Sequence, residues 1–206
     1  MLDYVISAVV TLVVIVDPVS MVPVFIGLTE GLPATARQQV AVRAAVIAAI
    51  VLSGAALIGA PLLRRLGISL PAFEIAGGLL LFWIAAEMVY GTRSERESKA
   101  VERAVEEHVR HIAAFPLAIP LMAGPGAIVA TLLLAGAARD ALTTAALIGV
   151  IVVVCALTLL VFLLASRIAK LVGITGNIVL SRLLGVLLAA LSVQYVIDGA
   201  RAALGK

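Results

Sequence analysis

Polar positions are sparse along this chain and fall between long apolar runs at about 4–27, 39–62, 68–90, 112–137, 141–165 and 178–200. Each run is long enough to cross about 30 Å of hydrocarbon at 1.5 Å per helical residue. The pattern predicts an all-α membrane protein with six transmembrane helices. The first run starts almost at Met1, with no basic stretch before it and no small-residue cleavage site after it, so it reads as a retained helix. Two runs carry interruptions. Val16-Asp17-Pro18-Val19-Ser20-Met21-Val22-Pro23 breaks the first, and Gly124-Pro125-Gly126 breaks the fourth.

The interruptions belong to a repeat. Segments 66–91 and 172–199 share a Gly-Ile-Ser/Thr opening, a mid-helix glycine and a closing glycine; Gly77 and Gly185, and likewise Gly91 and Gly199, are 108 positions apart. Pro18 and Pro125 are 107 apart, so independent landmarks give nearly one period. Residues 1–91 and 112–206 are then two three-helix repeats joined by a charged loop at 92–111. An odd number of crossings per repeat makes the two halves inverted. Inverted repeats with matching broken helices are the layout of secondary transporters, whose sites lie near mid-membrane.

The breaks predict where such a site lies. Pro18 cannot donate to Val14, Pro23 cannot donate to Val19, and Pro125 cannot donate to Leu121. Backbone groups freed in hydrocarbon must find protein, water or ligand, so both breaks are expected to line one polar cavity. Gly124 and Gly126 let backbone approach a ligand at a new helix start. Asp17 lies too deep to snorkel, which makes it a candidate coupling carboxylate as well as a cap for a half-helix starting at Pro18. Ser20 and Thr131 are candidate hydrogen-bonding groups, with Asn177, Ser181, Ser192 and Gln194 more readily read as helix stitching. Gly54, Gly77, Gly78 and Gly185 read as close-packing points. Glu74 and Arg182, at matching repeat positions, are candidate gating charges. Counting depths along straight helices levels Arg182 with Asp17, and Glu74 with the amide end of the half-helix beginning at Pro125.

Composition agrees with the class: 63% of the 206 residues are hydrophobic and 13% charged, at a mean hydropathy of +1.21. The net charge of +3 is spread over loops, which argues against a nucleic-acid partner. Six spans put both termini on one side. Five basic residues fall there (Arg64, Arg65, Arg139, Arg201, Lys206), against nine on the other side (Arg37, Arg43, Arg93, Arg96, Lys99, Arg103, Arg110, Arg167, Lys170). The positive-inside rule therefore places the termini outside the cytoplasm and loop 92–111 within it. Cys155 has no partner cysteine and reads as packing. His108 and His111 stand in the charged loop without further ligands, so no metal is expected.

The stretches DPVSMVPVF, GLTEG, PAFEIAGGLLL, AIPLMAGPGAIVATLL and SRLLGVLLAALSVQ resemble the MarC family, also called the neutral amino acid transporter family, over nearly the whole chain. The family is similar in layout to the LysE-like exporters, and some relatives are described as cation-coupled transporters of glycine and alanine. The resemblance implies a multi-pass protein of the cytoplasmic (inner) membrane that moves a small neutral amino acid or related metabolite, with Na+ or H+ as coupling ion and no other cofactor. Its partners are a small-molecule substrate and the lipid bilayer, and it is open to homo-oligomerisation. Two positions depart from the family pattern. Ser20-Met21 stands where Gly-Asn is common, and Glu74 where a basic residue is frequent, which changes the polar groups offered to a substrate. No ATP-binding loop or catalytic triad is present, so an enzyme is not expected. The alternatives are a non-transporting membrane scaffold or assembly factor, and an exporter of an unrelated small metabolite.

Overall fold

The computed structural model of the chain describes residues 1–92, 113–138 and 140–205. Most of the predicted charged loop, with His108 and His111, lies outside them. The described residues form helices and turns: α1 (Leu2–Val16), α2 (Met21–Leu28), α3 (Ala34–Arg65), α4 (Leu70–Tyr90), a π-helical segment (Ala113–Met122), α5 (Pro125–Ala137), α6 (Ala141–Leu163) and α7 (Ala165–Ala203).

Four stretches are long and apolar enough to cross a membrane: Ala34–Gly59, Leu70–Tyr90, Ala141–Leu163 and Thr175–Ala203. The pair α1 and α2, bent by 49°, makes a fifth if counted as one broken span. Among the described residues this makes four or five candidate spans, against the six expected. The run expected at 112–137 is divided between the π-helical segment and α5, which has only 13 residues. The cause is local: Pro116, Pro120 and Pro125 each lack an amide hydrogen, and Gly124 follows closely on Pro120. A wider π turn accommodates such a stretch where a regular ladder cannot. Within α7, Gly173 leaves helical geometry at φ 64°, ψ 177°, a conformation glycine tolerates, and the membrane-length stretch begins just after it.

Helical periodicity decides which faces turn inward. Along α6, Leu147, Val150, Ile151, Val154, Cys155, Thr158, Val161 and Phe162 form a buried stripe, while Val152, Val153, Leu157 and Leu160 on the other side are exposed. Large apolar side chains facing outward are the mark of a helix solvated by lipid. Cys155 sits in that buried stripe, as its apolar neighbours predicted. In α1 the stripe Ala8, Thr11, Leu12 and Ile15 is buried at the i, i+4 and i+7 spacing.

The most extensive contact joins α4 to α7, which run antiparallel. Gly78 faces the Ser192 carbonyl and Val196, Gly185 faces Ala85 and Met88, and Gly199 faces Pro71 and Glu74. A Cβ on Gly78 would stand 2.7 Å from that carbonyl oxygen and one on Gly185 2.8 Å from the Met88 Cβ, so small residues set the helix separation. Gly54 is different: nothing lies within 4 Å of where its Cβ would be, and its expected packing role does not hold.

Helix ends sort into two groups. The Tyr4 hydroxyl donates to the Leu134 carbonyl at 2.8 Å, Leu70 touches Gly136, and Pro71 touches Gly199. This gathers the start of α1, the start of α4, and the ends of α5 and α7 at one end of the molecule. At the opposite end, Phe25 near the end of α2, Ala34 at the start of α3 and Phe162 near the end of α6 share one pocket. The end of α4 lies beside Arg182.

Candidate functional site

The first break has a definite geometry. Asp17 closes α1 in the left-handed conformation (φ 49°, ψ 64°), its amide donating to the Val13 carbonyl. Among the described residues it is the one non-glycine with positive φ, a conformation that costs about 1–2 kcal/mol for most side chains and is best tolerated by Asp and Asn. The chain turns through Pro18–Ser20 and helix resumes at Met21, not at Pro18 as expected. Pro23 then falls in the first turn of α2, where an amide hydrogen would have no helical use, and its side chain is exposed. Pro125 is likewise the first residue of α5 and exposed. The prolines thus end one helix and permit the next, and their missing hydrogens leave fewer stranded carbonyls than a straight-helix count requires.

What remains unsatisfied is side chain. Asp17 is only 1% exposed. Its Oδ1 accepts a long hydrogen bond of 3.4 Å from the Ser20 amide, while Oδ2 has no hydrogen-bond partner among the described residues. The Ser20 hydroxyl, in the same turn, is also buried without a partner. Burying a carboxylate this way costs several kcal/mol unless a proton, cation or donor joins it.

The second break meets the first. A Cβ on Gly126 would stand 2.6 Å from the Ile84 Cδ1 and 3.5 Å from the Ile15 Cγ2, so the start of α5 lies against the end of α1, two residues before Asp17. Gly124 caps α5 with extended backbone, and its Cβ would overlap the Pro120 carbonyl oxygen at 2.2 Å, which reserves the position for glycine. The amides of the first turn of α5 have no side-chain cap and carry the positive end of the helix dipole. Thr131, fully buried, spends its hydroxyl on the Ala127 carbonyl at 2.7 Å. Ser192 does the same with Leu188 at 2.6 Å, and Gln194 donates to Asp198 at 2.8 Å.

The charge pairs expected from depth do not form. Arg182 is exposed and its guanidinium ends beside Gly91, the C-cap of α4, 3.9 Å from where a Cβ would be. There it meets the negative end of that helix, a better partner than a carboxylate deep in the bundle. Glu74 lies against Gly199, its Cβ 2.9 Å from the position of a Cβ there, and close enough to Asp198 and Tyr195 to interact electrostatically. Because α4 and α5 run antiparallel, Ile84 and not Glu74 reaches the start of α5; ten residues of helix, about 15 Å, separate the two.

This sequence has relatives elsewhere. The profile of the MarC family integral membrane proteins matches residues 2–204. The chain belongs to the MarC family. It is 38% identical over 204 residues to a UPF0056 membrane protein of Methanocaldococcus jannaschii, covering 98% of both chains. A UPF0056 membrane protein of Aquifex aeolicus is 36% identical, with 94% of this chain and 91% of the relative covered. The Escherichia coli UPF0056 membrane protein YhcE is 34% identical, with 90% and 86% covered. No solved structure matches. The chain is therefore a multi-pass integral membrane protein, and its buried Asp17 is held in a helix break.

Proposed function

We propose that the chain is a secondary transporter, not an enzyme, that moves a small neutral amino acid of the glycine or alanine kind, or a related metabolite, by alternating access. The observation that carries the reading is Asp17, a carboxylate 1% exposed with one oxygen unpartnered, in a helix break that abuts a second helix start. A fixed buried anion favours a cation, so H+ or Na+ binding at Asp17 supplies the coupling. The uncapped amides of α5 suit the carboxylate of a zwitterionic substrate. The Ser20 hydroxyl, buried without a partner in the same turn as Asp17, is a further donor or acceptor.

Residues 1–91 and 112–206 act, on this reading, as inverted repeats. Two contacts support it: Arg182 reaches Gly91 and Glu74 reaches Gly199, and both residues of each contact map onto the other contact through the same offset of 108. Reciprocal contacts of this kind are what an in-plane two-fold relation produces. The protein sits in the cytoplasmic (inner) membrane with both termini outside, by its loop charges. Reconstitution into proteoliposomes tests the function: a panel of neutral amino acids is offered under an imposed pH or sodium gradient. Gradient-dependent uptake of at least one is expected, and no gradient-dependent flux for any member of the panel contradicts the reading.

A further inference from the structure

At the end of the molecule where α3 begins, an open pocket of about 350 Å³ lies between α2, α3 and α6. Its apolar wall is the stacked pair Phe25 and Phe162, with ring centroids 4.5 Å apart and planes 5° from parallel, together with Leu32 and Leu163. Its polar wall is Arg37 and Gln38, on the first turns of α3. The Arg37 Nε is buried and has no hydrogen-bond partner among the described residues. A neighbouring pocket of about 370 Å³ shares Gln38 and adds Thr35, Gln39 and Arg43. Among the described residues, neither lining contains a carboxylate.

We infer that the Arg37 pocket binds a phosphate group. Three features single out that chemistry. Burial of an unpartnered guanidinium nitrogen is costly, and the planar fork of arginine is matched by the paired oxygens of an oxyanion. Depth selects phosphate among oxyanions: the membrane-length stretch of α3 starts at Ala34, so Arg37, three residues in, stands at the level of lipid headgroups. Basic pockets between membrane helices at that level hold anionic headgroups. The wall of Phe25, Phe162, Leu32 and Leu163 suits the apolar part of a phosphate ester, and the volume is that of a small-molecule site. The occupant is a phosphate ester from either the surrounding lipid or the aqueous phase. Asp17 is not among the residues that line this pocket, and the site stands whether or not the chain transports.

The test uses the full chain in nanodiscs, with thermal unfolding as the readout. Phosphatidylcholine discs are compared with discs of mixed phosphatidylcholine and phosphatidylglycerol, and with phosphatidylcholine discs given glycerol 3-phosphate at constant ionic strength. Stabilisation of wild type by about 3 °C is expected in at least one arm. An effect of phosphatidylglycerol alone assigns a lipid headgroup, whereas an effect of glycerol 3-phosphate assigns a soluble ester. Arg37→Gln is expected to abolish the shift. Leu163→Trp, which fills the pocket and keeps the guanidinium, is expected to abolish it as well and guards against a folding defect in the first variant. No shift in wild type, or a full shift retained in either folded variant, overturns the site.

Discussion

Asp140 and Asp17 are both acids at helix termini, in very different surroundings. Asp140 caps α6 by accepting from the Thr143 amide at 2.7 Å and from the Thr143 hydroxyl at 2.5 Å. These bonds hold its carboxyl below the ordinary value of 3.8. A depressed folded pKa contributes stability that is full above 3.8 and is lost as pH falls through the lower folded value. Asp140→Ala is therefore expected to lower the unfolding temperature at neutral pH, with the gap to wild type closing at the acid end of a pH series. A gap that stays constant down to the most acid point means the ionised cap contributes nothing. The sequence singled out Asp17 because an intramembrane carboxylate beside proline has few structural reasons to exist, and the structure buries it in a helix break. The partners of Glu74 and Arg182 were not legible. Counting depth along straight helices ignores both the 49° bend between α1 and α2 and the attraction of a guanidinium to a helix C-terminus. Arg37 was read only as a loop charge, since nothing in the sequence shows that the ends of α2 and α6 wall it in.

Glycine spacing between elements was more informative than charge. The pairing of Gly77 with Gly185 and of Gly91 with Gly199 marked the two helices that pack most extensively, although it could not show that they lie against each other. Close approach gives these positions a defined cost. Gly78→Val would drive atoms toward the Ser192 carbonyl oxygen and the Val196 side chain, 2.7 and 2.8 Å from the Cβ position, and is expected to destabilise the protein by about 1–3 kcal/mol. Gly54→Ala is the control, with open space around it, and is expected to be neutral or to stabilise by up to about 1 kcal/mol. Thermal unfolding of both variants in detergent checks the pair; equal stability would mean that α4 and α7 are not in the contact described. The helix boundaries in the proline-rich 112–137 run were the least legible. Hydropathy reports how apolar a run is, whereas whether it forms one helix depends on where the backbone hydrogen bonds can close.

For the molecule as a whole, the start of α1 and the end of α7 gather at one end. On the charge count along the sequence, which assigns nine basic residues to the side away from the termini against five beside them, a periplasm-active reporter fused after Lys206 is expected to be active, and a fluorescent protein that matures only in the cytoplasm is expected to stay dark. The reverse pattern would invert the assignment of both faces. The central claim is that two helix breaks meet around a carboxylate that binds the coupling cation. Asp17→Asn tests it most directly, because the amide keeps the size and local bonding of the side chain while removing the charge. Uptake into proteoliposomes, measured for wild type and variant across a series of pH and sodium gradients, is predicted to fall in the variant to the level of empty vesicles, while the variant retains the wild-type elution profile in detergent. Uptake that keeps its dependence on the gradient in Asp17→Asn would contradict the account and reduce Asp17 to a turn residue.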